Sequence, residues 1–105
     1  MDVMTVGSGE SASHFALHID TLVALEYVVP LVLKDKLGFM LAVHDDRGAM
    51  HAAMIGPGIP VRFVFHTSPR PKADEERVKT FLEHARSGRL DLQIPAVDVD
   101  NMPML

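Results

Sequence analysis

Six histidines are the residues of this chain best suited to acid–base or metal chemistry, because imidazole titrates near neutral pH and binds transition metals. His14 and His18 are four residues apart, a spacing that on a helix would place both rings on one face, as in many zinc sites. However, no metalloprotease-type glutamate stands between them, and the local alternation of apolar residues favours a strand, in which chelation would be difficult. We therefore expect neither a metal site nor a cofactor.

A second cluster, His44, Asp45 and Asp46, resembles a carboxylate-oriented imidazole that could act as a general base. Adjacent residues of a strand face opposite ways, so His44 and Asp45 cannot converge without a bulge. The two aspartates are instead typical of a turn, where Asp accepts hydrogen bonds from its own backbone. We expect no catalytic residue here and favour a non-enzymatic role.

Three methionines form the feature to which we give most weight. If Asp45 lies opposite Ala49, residues 39–55 form a β-hairpin with Met40, Met50 and Met54 on one face. The flexible thioether of methionine suits adaptable contact surfaces. An apolar sheet face of this kind requires a cover, which could be a helix of the same chain, a second copy or a ligand.

Polar residues complete the predicted site. His44 shares the methionine face, and Arg62 and His66 would stand at its edge if the following strand pairs with the hairpin. These three side chains could orient an anionic ligand. The expected ligand-binding or interface residues are therefore Met40, His44, Met50, Met54, Arg62 and His66.

The elements that must position this site begin with the hairpin. Its turn is Asp46-Arg47-Gly48, because Gly48 can take the left-handed conformation that a three-residue loop requires. Gly56-Pro57-Gly58 is compatible with a type II turn, but such a turn fits hairpin twist poorly. We therefore expect a wider loop, after which Pro60 begins a strand that continues over Val61–Thr67. The alternation over Leu90–Ile94 predicts a last strand before Pro95.

The first of two helices is predicted over residues 21–37, with Asp20 as N-cap and Gly38 as C-cap. Pro30 is expected to kink or split it. Apolar residues outside the main stripe indicate a helix that is buried on several sides or forms part of an interface. Those residues are Val23, Tyr27 and Leu31.

The second helix, over residues 72–87, is the clearest element of the chain. Acidic residues fill its first turn, a narrow apolar stripe faces inward, and Gly88 ends it.

Residues 11–19 fit either a strand or a helix, and we favour a strand. Residues 2–6 fit a short edge strand or a loose terminus, and residues 96–105 a tail.

Composition limits the classes of function. The chain has 105 residues, no cysteine and a formal net charge of -4, with basic residues interleaved with acidic ones. This pattern argues against nucleic-acid binding and against a disulfide framework. No signal peptide or membrane span is evident, so we expect a cytoplasmic protein that does not bind membranes.

Together these patterns predict an α+β fold: an antiparallel sheet of four to five strands with two helices packed against it. Residues 1–105 would form a single domain, with 1–10 and 96–105 as loosely ordered termini. The second helix is expected to cover the Phe39, Leu41 and Val43 face. The predicted function is a non-enzymatic binding or regulatory module that forms a homodimer through the methionine face. The alternative is an anionic-ligand pocket or small enzyme using His44, Arg62 and His66.

Overall fold

Six strands and two α-helices account for the regular structure that the computed structural model describes, over residues 2–45 and 47–93. A 3-10 turn, Gly9–Ser11, joins the first two strands. Asp46, Ile94 and the predicted tail 96–105 lie outside the described residues. In chain order the elements are β1 (Val3–Val6), β2 (Ser13–Ala16), α1 (Ile19–Lys34), β3 (Phe39–His44), β4 (Met50–Ile55), β5 (Val61–Val64), α2 (Glu75–Arg86) and β6 (Arg89–Gln93).

The strands form two sheets of three. Sheet A is antiparallel in the order β2-β1-β5, and sheet B has the order β4-β3-β6, with β4 antiparallel and β6 parallel to β3. The α+β class is thus as predicted, but a single antiparallel sheet of four or five strands is not. The turn after β4, closed by Ile59 N–H donating to the Gly56 carbonyl at 3.1 Å, leads the chain out of sheet B and into sheet A. The last strand arrives through α2, and such a helical crossover is what parallel pairing requires.

The N-terminal strand is the centre of sheet A. The prediction of an edge strand or a loose terminus for residues 2–6 is therefore wrong, because β1 pairs on both sides, with β2 and β5. Its residues Val3, Met4 and Val6 are at most 5% exposed. The favoured strand within residues 11–19 is confirmed as β2.

One apolar core receives side chains from every described strand and from both helices. Phe39, Leu41 and Val43 of β3 are at most 1% exposed, which makes their side of the strand the core face. α1 contributes seven buried residues to this core. α2 packs mainly against α1, buries Ala85 fully and also touches β6 and β3, so it covers the β3 core face only in part.

The ends of α1 differ from the prediction. The N-cap is His18, whose Nδ1 accepts from the Asp20 amide at 3.2 Å, so Asp20 lies inside the helix. At the other end Lys36, not Gly38, takes the left-handed conformation, with φ of 59°. Its amide bonds to the Leu33 carbonyl at 2.9 Å and the next amide bonds to Val32 at 3.3 Å, which is a Schellman motif.

Two other helix predictions were also inexact. Pro30 does not split α1, which is a single helix over Ile19–Lys34, whereas a kink at Pro30 stays a prediction. Pro30 is exposed, so water can bond the carbonyl that its missing N–H leaves free. α2 begins at Glu75 rather than at residue 72, because Asp74 is its N-cap and accepts from the Glu76 amide at 3.0 Å.

A buried carboxylate ties β1 to the end of β5. Asp2 is 7% exposed and accepts hydrogen bonds from the amides of His66 and Thr67, at 2.7 and 3.2 Å, and from the Thr67 hydroxyl at 2.8 Å. Burial by itself would raise the pKa of Asp2, but these hydrogen bonds outweigh it and hold the pKa below its usual value. Asp2 therefore stabilises the fold as an anion.

We predict that Asp2→Asn lowers the free energy of unfolding by about 1–3 kcal/mol at neutral pH, because an amide cannot accept all three hydrogen bonds. Since folding lowers the pKa of Asp2, its contribution is complete above the unfolded-state pKa and disappears as the pH falls through the folded-state pKa. Urea denaturation at neutral and acidic pH measures both effects. Glu10→Gln, at an exposed position, is the control, and equal stability of the two variants at neutral pH would contradict the prediction.

Candidate functional site

The β3–β4 hairpin has the register predicted from the sequence. The Asp45 amide donates to the Ala49 carbonyl at 3.0 Å, and Gly48 at the turn has φ of 88°. Met40 then lies beside Met54, and His44 beside Met50. The three methionines and His44 are therefore on one side of sheet B, as expected.

The third strand extends this side of the sheet with polar residues. Because β6 is parallel to β3, Arg89 lies next to Met40 and Asp91 next to Ala42. We call this side of sheet B the open face. Its residues are Met50, Ala52 and Met54 on β4, Met40, Ala42 and His44 on β3, and Arg89, Asp91 and Gln93 on β6.

The open face is uncovered along β4. Met50 is 49% exposed and Met54 52%, whereas Met40 is half-buried and Ala42 fully buried. The exposure of Met50 and Met54 shows that neither helix shields this side, because both helices serve the core on the opposite side of β3. A covering layer supplied by the described part of the chain is thus excluded. A second copy or a ligand stays a prediction.

A hydrogen-bonded chain crosses the polar half of the open face. His44 Nε2 lies 2.8 Å from Asp91 Oδ1, and Arg89 Nε donates to both carboxylate oxygens at 3.1 Å. The guanidinium also reaches Met50, with Nη2 3.5 Å from the sulfur atom. The hydrogen bond from His44, opposed by partial burial and assisted by Arg89, holds the pKa of Asp91 below its usual value.

Arg62 and His66 do not join the open face. The prediction required β5 to pair with the hairpin, but β5 pairs with β1 in sheet A, where Arg62 lies beside Thr5. Both side chains are exposed, and the His66 amide is bound to Asp2. The six predicted residues therefore fall into four on sheet B and two at sheet A.

Asp45 and His51 lie on the other side of the hairpin. Asp45 accepts from the amides of Arg47 and Ala49 at 2.9 Å, and its second oxygen is 3.8 Å from His51 Nε2. Burial alone would raise the pKa of Asp45, but the two amides and the charges of His51 and Arg47 lower it overall. Asp45 thus belongs to the turn, as predicted, and does not converge with His44.

The remaining candidate histidines have local partners. His14 Nδ1 is 3.0 Å from the Thr5 hydroxyl, while His18 caps α1. Over residues 2–45 and 47–93, no group of three or more histidine, aspartate or glutamate side chains is placed to hold a metal ion.

Sequence reasoning missed Arg89 and Asp91 as members of the site. Their alternation with Leu90 and Leu92 indicated a strand with one polar side. Nothing in that alternation specified pairing with β3, so His44 had no visible partner.

Comparisons with family models, with curated proteins and with solved structures found no match to the chain. None of the described helices is long and apolar enough to cross a membrane. The fold and site define the class only as a small α+β protein with a partly apolar sheet face that the described part of the chain leaves exposed.

We predict that His44→Ala raises the pKa of Asp91 towards the ordinary value of an aspartate. The substitution removes the hydrogen bond from His44, which is the largest contribution to the lowered pKa. Carboxyl ¹³C chemical shifts during a pH titration measure this directly. His51→Ala is the matched control: it should leave Asp91 unchanged and raise the pKa of Asp45 instead. An Asp91 titration that is the same in wild type and His44→Ala would contradict the hydrogen bond.

Proposed function

We propose that the protein is a non-enzymatic binding module that self-associates through the open face of sheet B, so that the occupant of this face is a second copy of the chain. The observation that carries the proposal is the half-exposed pair Met50 and Met54, on a sheet face over which residues 2–45 and 47–93 place no covering layer. Thioethers on a flat face adapt to one another and exclude water, as a self-complementary contact requires.

The distribution of polarity favours a symmetric dimer. The β4 side of the open face is apolar, whereas the β6 side carries Arg89 and Asp91. A twofold axis close to β4 would place methionine against methionine and leave the charged strands at the rim. An apolar centre with a polar rim is the usual arrangement of an interface.

The charged residues tolerate such a rim position. Arg89 and Asp91 already neutralise each other within one copy, and His44 satisfies a further carboxylate lone pair. Partial desolvation on association therefore leaves no unpaired charge.

The area of the open face indicates how tightly two copies are expected to associate. Three strands with three outward positions each cover roughly 300 Å² in plan, below the about 800 Å² per partner of a standard interface. We therefore propose weak, concentration-dependent association, in which the fraction of dimer responds to the amount of protein. Such a response suits a regulatory role, and the absence of cysteine supports a cytoplasmic location.

The alternative pocket formed by His44, Arg62 and His66 has less support. This pocket required His44 and Arg62 to lie in the same sheet. His44 belongs to sheet B, whereas Arg62 lies in sheet A. Neither strand pairing nor a hydrogen bond among the described residues connects His44 with Arg62.

We predict that Met50→Glu weakens the dimer at least about tenfold, because the carboxylates of both copies would be desolvated close together near the twofold axis. The neighbouring Arg89 is already paired with Asp91, so it does not offset this cost in full. Sedimentation velocity at increasing protein concentration measures the association, and circular dichroism checks that the monomer remains folded. Since Met50 is 49% exposed in the single chain, the substitution leaves the core intact.

Leu37→Glu is the matched control, because Leu37 is 43% exposed, lies between α1 and β3 in the chain and is not one of the residues of the open face. It should leave the association unchanged. A wild-type protein that stays strictly monomeric at several hundred micromolar would overturn the proposal, as would equal effects of the two substitutions.

A further inference from the structure

A groove between α1 and the region of α2 is a feature that the proposed dimer does not use. It has a volume of about 410 Å³, within the range of small-molecule pockets. Tyr27 of α1 stands on one side, and Val78 and Leu82 of α2 on the other. The complete lining is Tyr27, Lys72, Ala73, Glu75, Val78, Lys79 and Leu82.

The groove exists because α1 is apolar on more than one side. The inner stripe of α1 is buried, but Tyr27 is 56% exposed and Leu31 42%. α1 packs against α2, and this packing leaves both side chains exposed to a large extent. An exposed phenol ring next to two aliphatic side chains gives an apolar floor.

One wall of the groove is held in place by ionic and aromatic contacts. Arg70 donates to both carboxylate oxygens of Glu26, at 3.0 and 2.9 Å, and its guanidinium carbon lies 4.7 Å from the centre of the Phe65 ring. Glu26 directly precedes Tyr27 on α1, and Arg70 is two residues before Lys72. This clamp links the segment that leads into α2 to α1, and so favours the arrangement that forms the groove.

The charge of the groove has a definite sign. Lys72 and Lys79 contribute two positive charges and Glu75 one negative charge, which leaves a local surplus of +1 on a chain whose net charge is -4. Among the described residues, neither ammonium group forms an ion pair with a carboxylate, Glu75 included. Both ammonium groups are therefore available to an anionic ligand.

We propose that this groove binds a small amphipathic carboxylate, with its aliphatic or aromatic part against Tyr27, Val78 and Leu82 and its carboxylate between Lys72 and Lys79. An apolar cleft with few convergent polar groups is the usual form of a small-molecule site. The site shares no residue with the open face, so it does not depend on dimer formation.

The chain carries its own reporter for this site. Tyr27 is the only tyrosine in the sequence and there is no tryptophan. Tyrosine emission therefore reports on the groove alone.

The test is a titration of the full chain with decanoate, below its micellar concentration, in parallel with decan-1-ol and decyltrimethylammonium. We expect saturable binding of decanoate, at least about fivefold tighter than that of the alcohol, and the weakest binding for the cation.

The lysine requirement is tested with Lys72→Met/Lys79→Met, which keeps the aliphatic length and removes both charges. Decanoate affinity should fall at least about fivefold while decan-1-ol affinity stays the same. The control is Lys34→Met/Lys36→Met, which removes two exposed charges at the end of α1. Isothermal titration calorimetry checks both variants without relying on Tyr27.

Three results would overturn the inference. They are the absence of saturable decanoate binding, equal affinity for decanoate and decan-1-ol, and an equal loss of affinity in the two double variants. Met50→Glu should bind decanoate like wild type, so failure of the groove and failure of the dimer are distinguishable.

Discussion

The one-sided burial of β3 is the constraint on which the rest of the structure depends. Phe39, Leu41 and Val43 point into the core and are at most 1% exposed, and both helices supply apolar residues to that same core. A strand alternates its side chains between two sides, so Met40 and His44 must face the other way. With both helices used on the core side, the described chain has no element left to cover the open face.

The parallel pairing of β6 gives the open face its polar half. Without this strand, His44 would be an isolated imidazole beside methionines, with no acceptor. Asp91 provides that acceptor at 2.8 Å, and Arg89 balances the carboxylate. The network neutralises its own charges, so it limits the electrostatic cost of bringing a neighbour close. The face can therefore combine polar residues with an apolar contact strip along β4.

Local patterns allowed much of the hairpin and the second helix to be predicted. The register follows from Gly48 and from strict alternation, both of which are visible in the sequence. The division into two sheets was not predictable in this way, because the pairing of β5 with β1 is a long-range choice. The end of α1 was missed for a local reason: Lys36 adopts the left-handed conformation that glycine usually takes.

The candidate site was predictable only where it depended on local strand pairing, as was the case for the sheets. Met40, Met50 and Met54 required only the hairpin, whereas Arg62 required the long-range pairing that does not occur. The groove had a signal in the sequence, since Tyr27 lies outside the main stripe of α1. That signal could not specify the neighbour, because the placement of α2 against α1 depends on the whole core. Apolar residues outside a helix's core stripe therefore indicate that a second contact surface exists, and only tertiary packing decides what it contacts.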